Sequence, residues 1–114
     1  MRVLVFGASI TQGFWDTEGG WVARLREHYD KQRIANQSDR GIPTFFNLGI
    51  SGDTSKNLRK RFVAETEARV WPNEDMLFIL CIGTNNARTI NGTPVSSPAQ
   101  YSEDMTWIVN LDSQ

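Results

Sequence analysis

The chain predicts an α/β fold built on a parallel sheet. Three observations carry that prediction. Short apolar segments recur at residues 3–6, 44–48 and 76–82. Stretches with helical spacing follow each of them, giving the order strand-helix-strand-helix-strand-helix, and such alternation implies parallel strands joined by right-handed crossovers. Each apolar segment also ends in a polar motif containing glycine, at the carboxyl end where ligands sit in open α/β sheets.

The elements follow in order. Residues 3–6 (Val-Leu-Val-Phe) are short, apolar and closed by Gly7, as a buried strand should be. Residues 18–33 place Trp21, Val22, Leu25 and Tyr29 on one stripe, while Arg24, Arg26, Glu27 and Lys31 mostly face away. Residues 36–43 are polar, hold Gly41 and Pro43, and predict a loop. Thr44-Phe45-Phe46-Asn47-Leu48 is the second strand. Asp53 or Thr54 can cap a second helix over 55–69, with Leu58, Phe62 and Val63 inward. Trp71-Pro72-Asn73 ends that helix. The unbroken apolarity of 76–82 predicts a strand covered on both faces and Cys81 as a small buried hydrophobe. A long loop over 83–97 carries Asn91-Gly92 and Pro94. A last helix from near Pro98 presents Tyr101, Met105, Ile108 and Leu111 inward.

At 114 residues the chain is one domain at most. Its 39% apolar and 22% charged residues are ordinary for a globular protein. Twelve basic residues stand against 13 acidic ones, and no basic stripe suggests nucleic acid. No segment approaches the ~20 apolar residues of a membrane span. The apolar start is also shorter than the ~7–15 residues of a signal-peptide core. With a single cysteine and no disulfide to form, a cytoplasmic setting is the expectation.

The three polar motifs carry the chemistry. Gly7-Ala8-Ser9-Ile10-Thr11 puts a serine just past the first strand, in a turn bounded by Gly7 and Gly13. A serine hydroxyl must protrude and meet a base before it attacks a carbonyl. Alone, Ser9 is equally a helix-capping or turn serine. In Asn47-Leu48-Gly49-Ile50-Ser51-Gly52 the glycines let backbone N–H groups approach a ligand, and Asn47 can fasten the loop to neighbouring backbone. Gly83-Thr84-Asn85-Asn86 supplies Asn85, whose amide donors suit a developing oxyanion. Each motif alone is also an ordinary turn. Together, at three successive strand ends, they offer hydroxyl, backbone amide and carboxamide to one rim.

On these motifs the sequence resembles the SGNH (GDSL-type) hydrolases, a family of serine esterases and lipases. Residues 7–11 look like the family's first motif, with Ala8 where aspartate is commonest. Residues 47–52 look like the second, and residues 83–86 like the third, with Asn86 where aspartate is usual. The resemblance implies a three-layer α/β/α, flavodoxin-like fold and cleavage of small-molecule esters without a cofactor or metal. It further implies Ser9 as nucleophile, with the backbone N–H groups of Ser9 and Gly52 and the side chain of Asn85 as oxyanion hole.

The family's fourth motif, Asp-x-x-His, is absent, and the only histidine is His28. With about 1.5 Å of rise per residue, His28 falls roughly 15 Å from the rim, whereas a general base must lie within about 3 Å of its proton. His28 is therefore read as a satisfied helix-face residue, in line with Trp21 and Leu25. The resemblance implies five parallel strands where three are visible. The expectation is that residues 1–114 form the N-terminal portion of one SGNH domain, inactive alone. Its third strand would then be an open edge, prone to self-association.

Other readings are weaker. A degenerate, non-catalytic carbonyl-binding module would keep the rim without the chemistry. Dinucleotide binding would need a middle glycine in residues 7–13 and an acidic residue ending the second strand, where Asn47 stands. Phe14, Trp15 and Asp16 flank the rim, and Trp15 is read either as pocket lining or as packed under its loop. Asn36-Gln37-Ser38 and Asn91-Gly92-Thr93 match the glycosylation pattern but are read as turns.

Overall fold

A computed structural model describes residues 1–112. Its sheet has three parallel strands: β1 (Arg2–Gly7), β2 (Thr44–Gly49) and β3 (Met76–Cys81), in the order β2-β1-β3. Arg2 to Gly7 pair in register with Thr44 to Gly49 on one side and Met76 to Cys81 on the other. The helices are α1 (Ser9–Gln12), α2 (Trp21–Asn36), α3 (Ser55–Glu67) and α4 (Pro98–Asp112).

Alternation along β1 builds the layers. Leu4 and Phe6 point to one face, where Leu58 and Phe62 of α3 and Ile108 of α4 close a core. Val3 and Val5 point to the other, against Val22 and Trp21 of α2. Residues Val3 to Phe6 are at most 1% exposed, because β1 alone has a strand on each side and helices on both faces. The result is the α/β/α sandwich.

Local chemistry sets the helix ends. Gly19 and Gly20 both hold positive φ (86° and 89°), so α2 begins at Trp21 rather than near residue 18. Thr54, not Asp53, caps α3, in a reciprocal capping box with Asn57. The loop after β3 contains a small hairpin of β4 (Thr89–Ile90) and β5 (Thr93–Pro94). Its turn residues Asn91 and Gly92 have φ of 52° and 79°, the left-handed pair that a tight hairpin needs.

Three expectations are corrected. Met76–Cys81 is not covered on both faces, since Leu77 is 45% exposed; among the described residues β3 lies at the sheet edge, as three visible strands implied. Cys81 is exposed rather than buried, since it ends that edge. Val63 is 42% exposed, because Leu58 and Phe62 already fill the inward stripe of α3. Among the described residues no helix is long and apolar enough to cross a membrane.

Candidate active site

Ser9 opens α1 directly after β1. The bend is tight because Gly7 has no Cβ; one added there would come 2.1 Å from Oγ1 of the buried Thr11. Ala8 is the N-cap and offers no side-chain cap, so the Ser9 side chain does not cap the helix. Its backbone carbonyl accepts from the N–H groups of Gly13 and Phe14, both at 3.0 Å. The hydroxyl is left without a hydrogen-bond partner among the described residues.

The second motif is fastened against α1. Asn47 Nδ2 donates to the Thr11 carbonyl at 2.8 Å, while its Oδ1 accepts from the Gly49 N–H at 3.0 Å. Ile50 N donates to the Gly7 carbonyl (3.1 Å) and Ser51 N to Gln12 Oε1 (2.6 Å). Gly52 follows in the left-handed region, at φ 88°. In the third motif, Asn85 Nδ2 donates to the Asp53 carbonyl at 2.9 Å. One N–H of Asn85 is therefore committed to the residue that follows the second motif, and the other takes no partner among the described residues.

Ser9 and Asn85 line one cleft of about 440 Å³ at the carboxyl end of the sheet, with Ile10, Trp21, Cys81 and Thr84 among its walls. Gly52 is not one of those walls; it stands one residue before Asp53, whose carbonyl holds Asn85. A larger cleft, about 610 Å³, lies between α3 and α4 and contains neither Ser9 nor Asn85. The larger one is lined by Thr54, Asn86, Ser96 and Gln100 instead.

His28 lies on the solvent face of α2, not on the apolar stripe. It is exposed, 3.1 Å from Gln32 Nε2 and edge-on to Tyr29, and is not a wall of the Ser9 cleft. Trp15 is 90% exposed at φ 67°, so it does not pack under its loop. Among the described residues no cluster of His, Cys, Asp or Glu could hold a metal ion.

Sequence reasoning missed Arg61 and the buried partners of Asn86. Arg61 of α3 reaches back to the strand ends, with Nε 2.8 Å from Asp53 Oδ2 and Nη2 2.8 Å from the Leu48 carbonyl. A cation three residues after the inward Leu58 was the available signal, because i and i+3 share a helix face. Asn86, 5% exposed, is bonded to Ser55, which in turn donates to Asp104.

A family model of GDSL-like lipases and acylhydrolases matches residues 5–112. The chain belongs to that family. Solved structures agree with the membership. The psychrotrophic esterase EstA from Pseudoalteromonas sp., a structure inhibited by monoethylphosphonate, is 26% identical with a TM-score of 0.71, covering 98% of this chain and 53% of its own. AlinE4, an SGNH-hydrolase family esterase, is 24% identical with a TM-score of 0.69, covering 96% and 51%. The acetyl xylan esterase AlAXEase is 21% identical with a TM-score of 0.72, again covering 96% and 51%; at that identity the likeness shows the fold. The comparison with curated proteins found no match. This GDSL-type chain thus spans about half the length of the solved relatives it matches. Membership displaces the dinucleotide-binding reading.

Proposed function

We propose that this GDSL-type chain carries the nucleophile and the oxyanion-binding groups of a serine ester hydrolase. The observation that supports it most is the shared cleft of Ser9 and Asn85. Ser9 Oγ attacks the carbonyl carbon of a small ester, and the carbonyl π electrons move to its oxygen. The Ser9 N–H and Asn85 Nδ2 stabilise that oxyanion, a single such donor typically being worth about 3–4 kcal/mol, and the Gly52 N–H is a third donor by the family resemblance alone, since Gly52 does not line the cleft. The alkoxide leaves and takes up a proton, and water releases the acyl group from Ser9.

Acylation needs a base to take the Ser9 proton and pass it to the leaving alkoxide, and deacylation needs it to take a proton from the attacking water and return it to Ser9 Oγ. No Asp-x-x-His occurs in the sequence, and His28 lies on the outer face of α2. In subtilisin, loss of the base costs on the order of 10⁶ in turnover, so the 114-residue chain alone is expected to be inactive or nearly so. The open edge of β3 suits self-association.

Hydrolysis of p-nitrophenyl acetate by the chain and its Ser9→Ala variant should not differ; clear Ser9-dependent turnover would overturn the inactivity. An alkyl boronic acid, which mimics the tetrahedral adduct on serine, tests the site itself. It should shift the Asn85 side-chain amide signals, and Ser9→Ala should abolish the effect. No shift at Asn85 would end the hydrolase reading.

A further inference from the structure

We infer that Arg61 and Asp53 are positioning residues for Asn85, an inference that rests on the hydrolase reading above. The Arg61 guanidinium touches the first two motifs and reaches the third through Asp53. Its Nε donates to Asp53 Oδ2 at 2.8 Å, and Nη2 donates to the Leu48 carbonyl at 2.8 Å and reaches the Gly7 carbonyl at 3.5 Å. Gly7 ends β1, just before Ser9, and Leu48 is the penultimate residue of β2. Asp53, in turn, offers its backbone carbonyl to Asn85 Nδ2 at 2.9 Å.

The geometry gives this chain of contacts a consequence for the oxyanion donor. A carboxamide is planar, so fixing one N–H on the Asp53 carbonyl fixes the direction of the other. Asp53 is held through backbone and side chain: its N–H donates to the Ile50 carbonyl at 3.1 Å, its carboxylate is anchored on Arg61, and the Thr54 N–H of the carbonyl's own peptide donates to Asn57 Oδ1 at 3.0 Å. Asp53 and Arg61 side chains are 11% and 15% exposed, so water competes little for the pair. The guanidinium also lies over the Phe6 ring, 5.5 Å from its centroid, which keeps the planar fork in place. Arginine is suited here because its fork serves several acceptors at fixed angles, whereas a lysine ammonium is a compact, mobile charge. Freed from the brace, Asp53 keeps the Thr54–Asn57 bond on its peptide plane but loses its side-chain anchor, and its carbonyl and the Asn85 amide bonded to it gain freedom.

A purely structural cation would lower stability and leave Asn85 as it was. The test is therefore read at Asn85. In 15N–1H spectra of the 114-residue chain, the Asn85 side-chain amide is assigned with Asn85→Ser, and its solvent exchange is measured at equal native population. Arg61→Met should speed that exchange about tenfold or more, and Arg61→Lys by a smaller but clear factor. Leu58→Ala, which truncates a fully buried residue of the same helix, should leave it within about twofold. If Arg61→Met does not fold, Arg61→Lys and Asp53→Asn decide by the same criterion. Exchange unmoved in those variants, or moved as much by Leu58→Ala, would overturn the positioning role. Failure of the boronic acid to bind would defeat the hydrolase reading and leave this result intact.

Discussion

Asn86 and Ser55 are joined by two reciprocal hydrogen bonds. The Ser55 N–H donates to Asn86 Oδ1 at 2.9 Å, and Asn86 Nδ2 donates to Ser55 Oγ at 2.8 Å. The Ser55 hydroxyl is then free to give its own proton to Asp104 Oδ2, at 2.8 Å, while Arg59 pairs with the other carboxylate oxygen at 3.3 Å. The bonds have a direction, and an amide at position 86 sets it. The chain departs from the usual family residue at a position where Asp104 already supplies the carboxylate.

Asn86→Asp is therefore expected to destabilise. It removes a buried donor and leaves two carboxylates competing for one hydroxyl proton, a loss of roughly 1–3 kcal/mol. Adding Asp104→Asn should recover much of it, because one carboxylate and one amide again flank Ser55. Urea denaturation of the two single variants and the double variant checks this as a double-mutant cycle. Additive losses would show that the direction of the bonds does not matter.

Gly49 and Gly52 are required for different reasons, and alanine separates them. A Cβ at Gly49 would lie 2.4 Å from Gln12 N and 2.9 Å from the Ala8 carbonyl. Both are backbone atoms of the turn that carries Ser9, so Gly49→Ala must push that turn away, at about 1–3 kcal/mol. Gly52 has open space around it but holds φ 88°, so Gly52→Ala should cost about 1–2 kcal/mol from backbone strain alone. Backbone amide shifts of residues 8–12 should move in the first variant and stay in the second.

Cys81 should react with a thiol reagent such as 5,5′-dithiobis(2-nitrobenzoate) in the native state, at a rate close to that in urea. It is exposed at the end of the edge strand. Protection by orders of magnitude, released only on unfolding, would mean that the β3 edge is covered in solution by a second copy of the chain. Protection that disappears on dilution would identify that association.

Glu74 gives a pH dependence with a definite sign. Its carboxylate accepts from the N-terminal ammonium at 3.2 Å and from Arg2 Nε at 3.3 Å. The ammonium bond is the largest influence and, with Arg2, holds the Glu74 carboxyl below its ordinary value against a smaller opposing effect of desolvation. A carboxyl with a lowered folded-state value stabilises the fold above its unfolded value, and that contribution is lost as pH falls through the folded one. The stability difference between wild type and Glu74→Gln should be present at neutral pH and shrink in acid, below the usual glutamate range. A difference that grew as pH fell would contradict this assignment.

Much of the architecture was legible because it is written in local pattern. The period-two alternation of Leu4 and Phe6 against Val3 and Val5 defines two faces, and the helical stripes of α3 and α4 supply what covers one of them. Asn47 was expected to fasten its loop, and it does, through Thr11 and Gly49. Failures occurred where the outcome depends on which element lies beside which. An apolar run reads alike whether its faces are covered or half open, so β3 and Cys81 were read as buried although the open edge itself was expected. His28 was assigned to the apolar stripe of α2 from spacing alone, while the fold turns it to solvent beside Gln32. Arg61 left little local trace, since the acceptors it serves are 8, 13 and 54 residues away along the chain.

By itself the amino-acid order determined the three sheet strands, the three long helices, their alternation and the three polar turns, all features governed by neighbours within a few positions. Only the assembled sheet decided that β1 is central, that Ser9 and Asn85 face one cleft, and that Asn85 is held by Asp53. The physical reason is reach. Periodicity and turn chemistry act over a few residues, whereas strand order and the hydrogen bonds of buried polar groups arise once distant segments pack together and water is excluded between them.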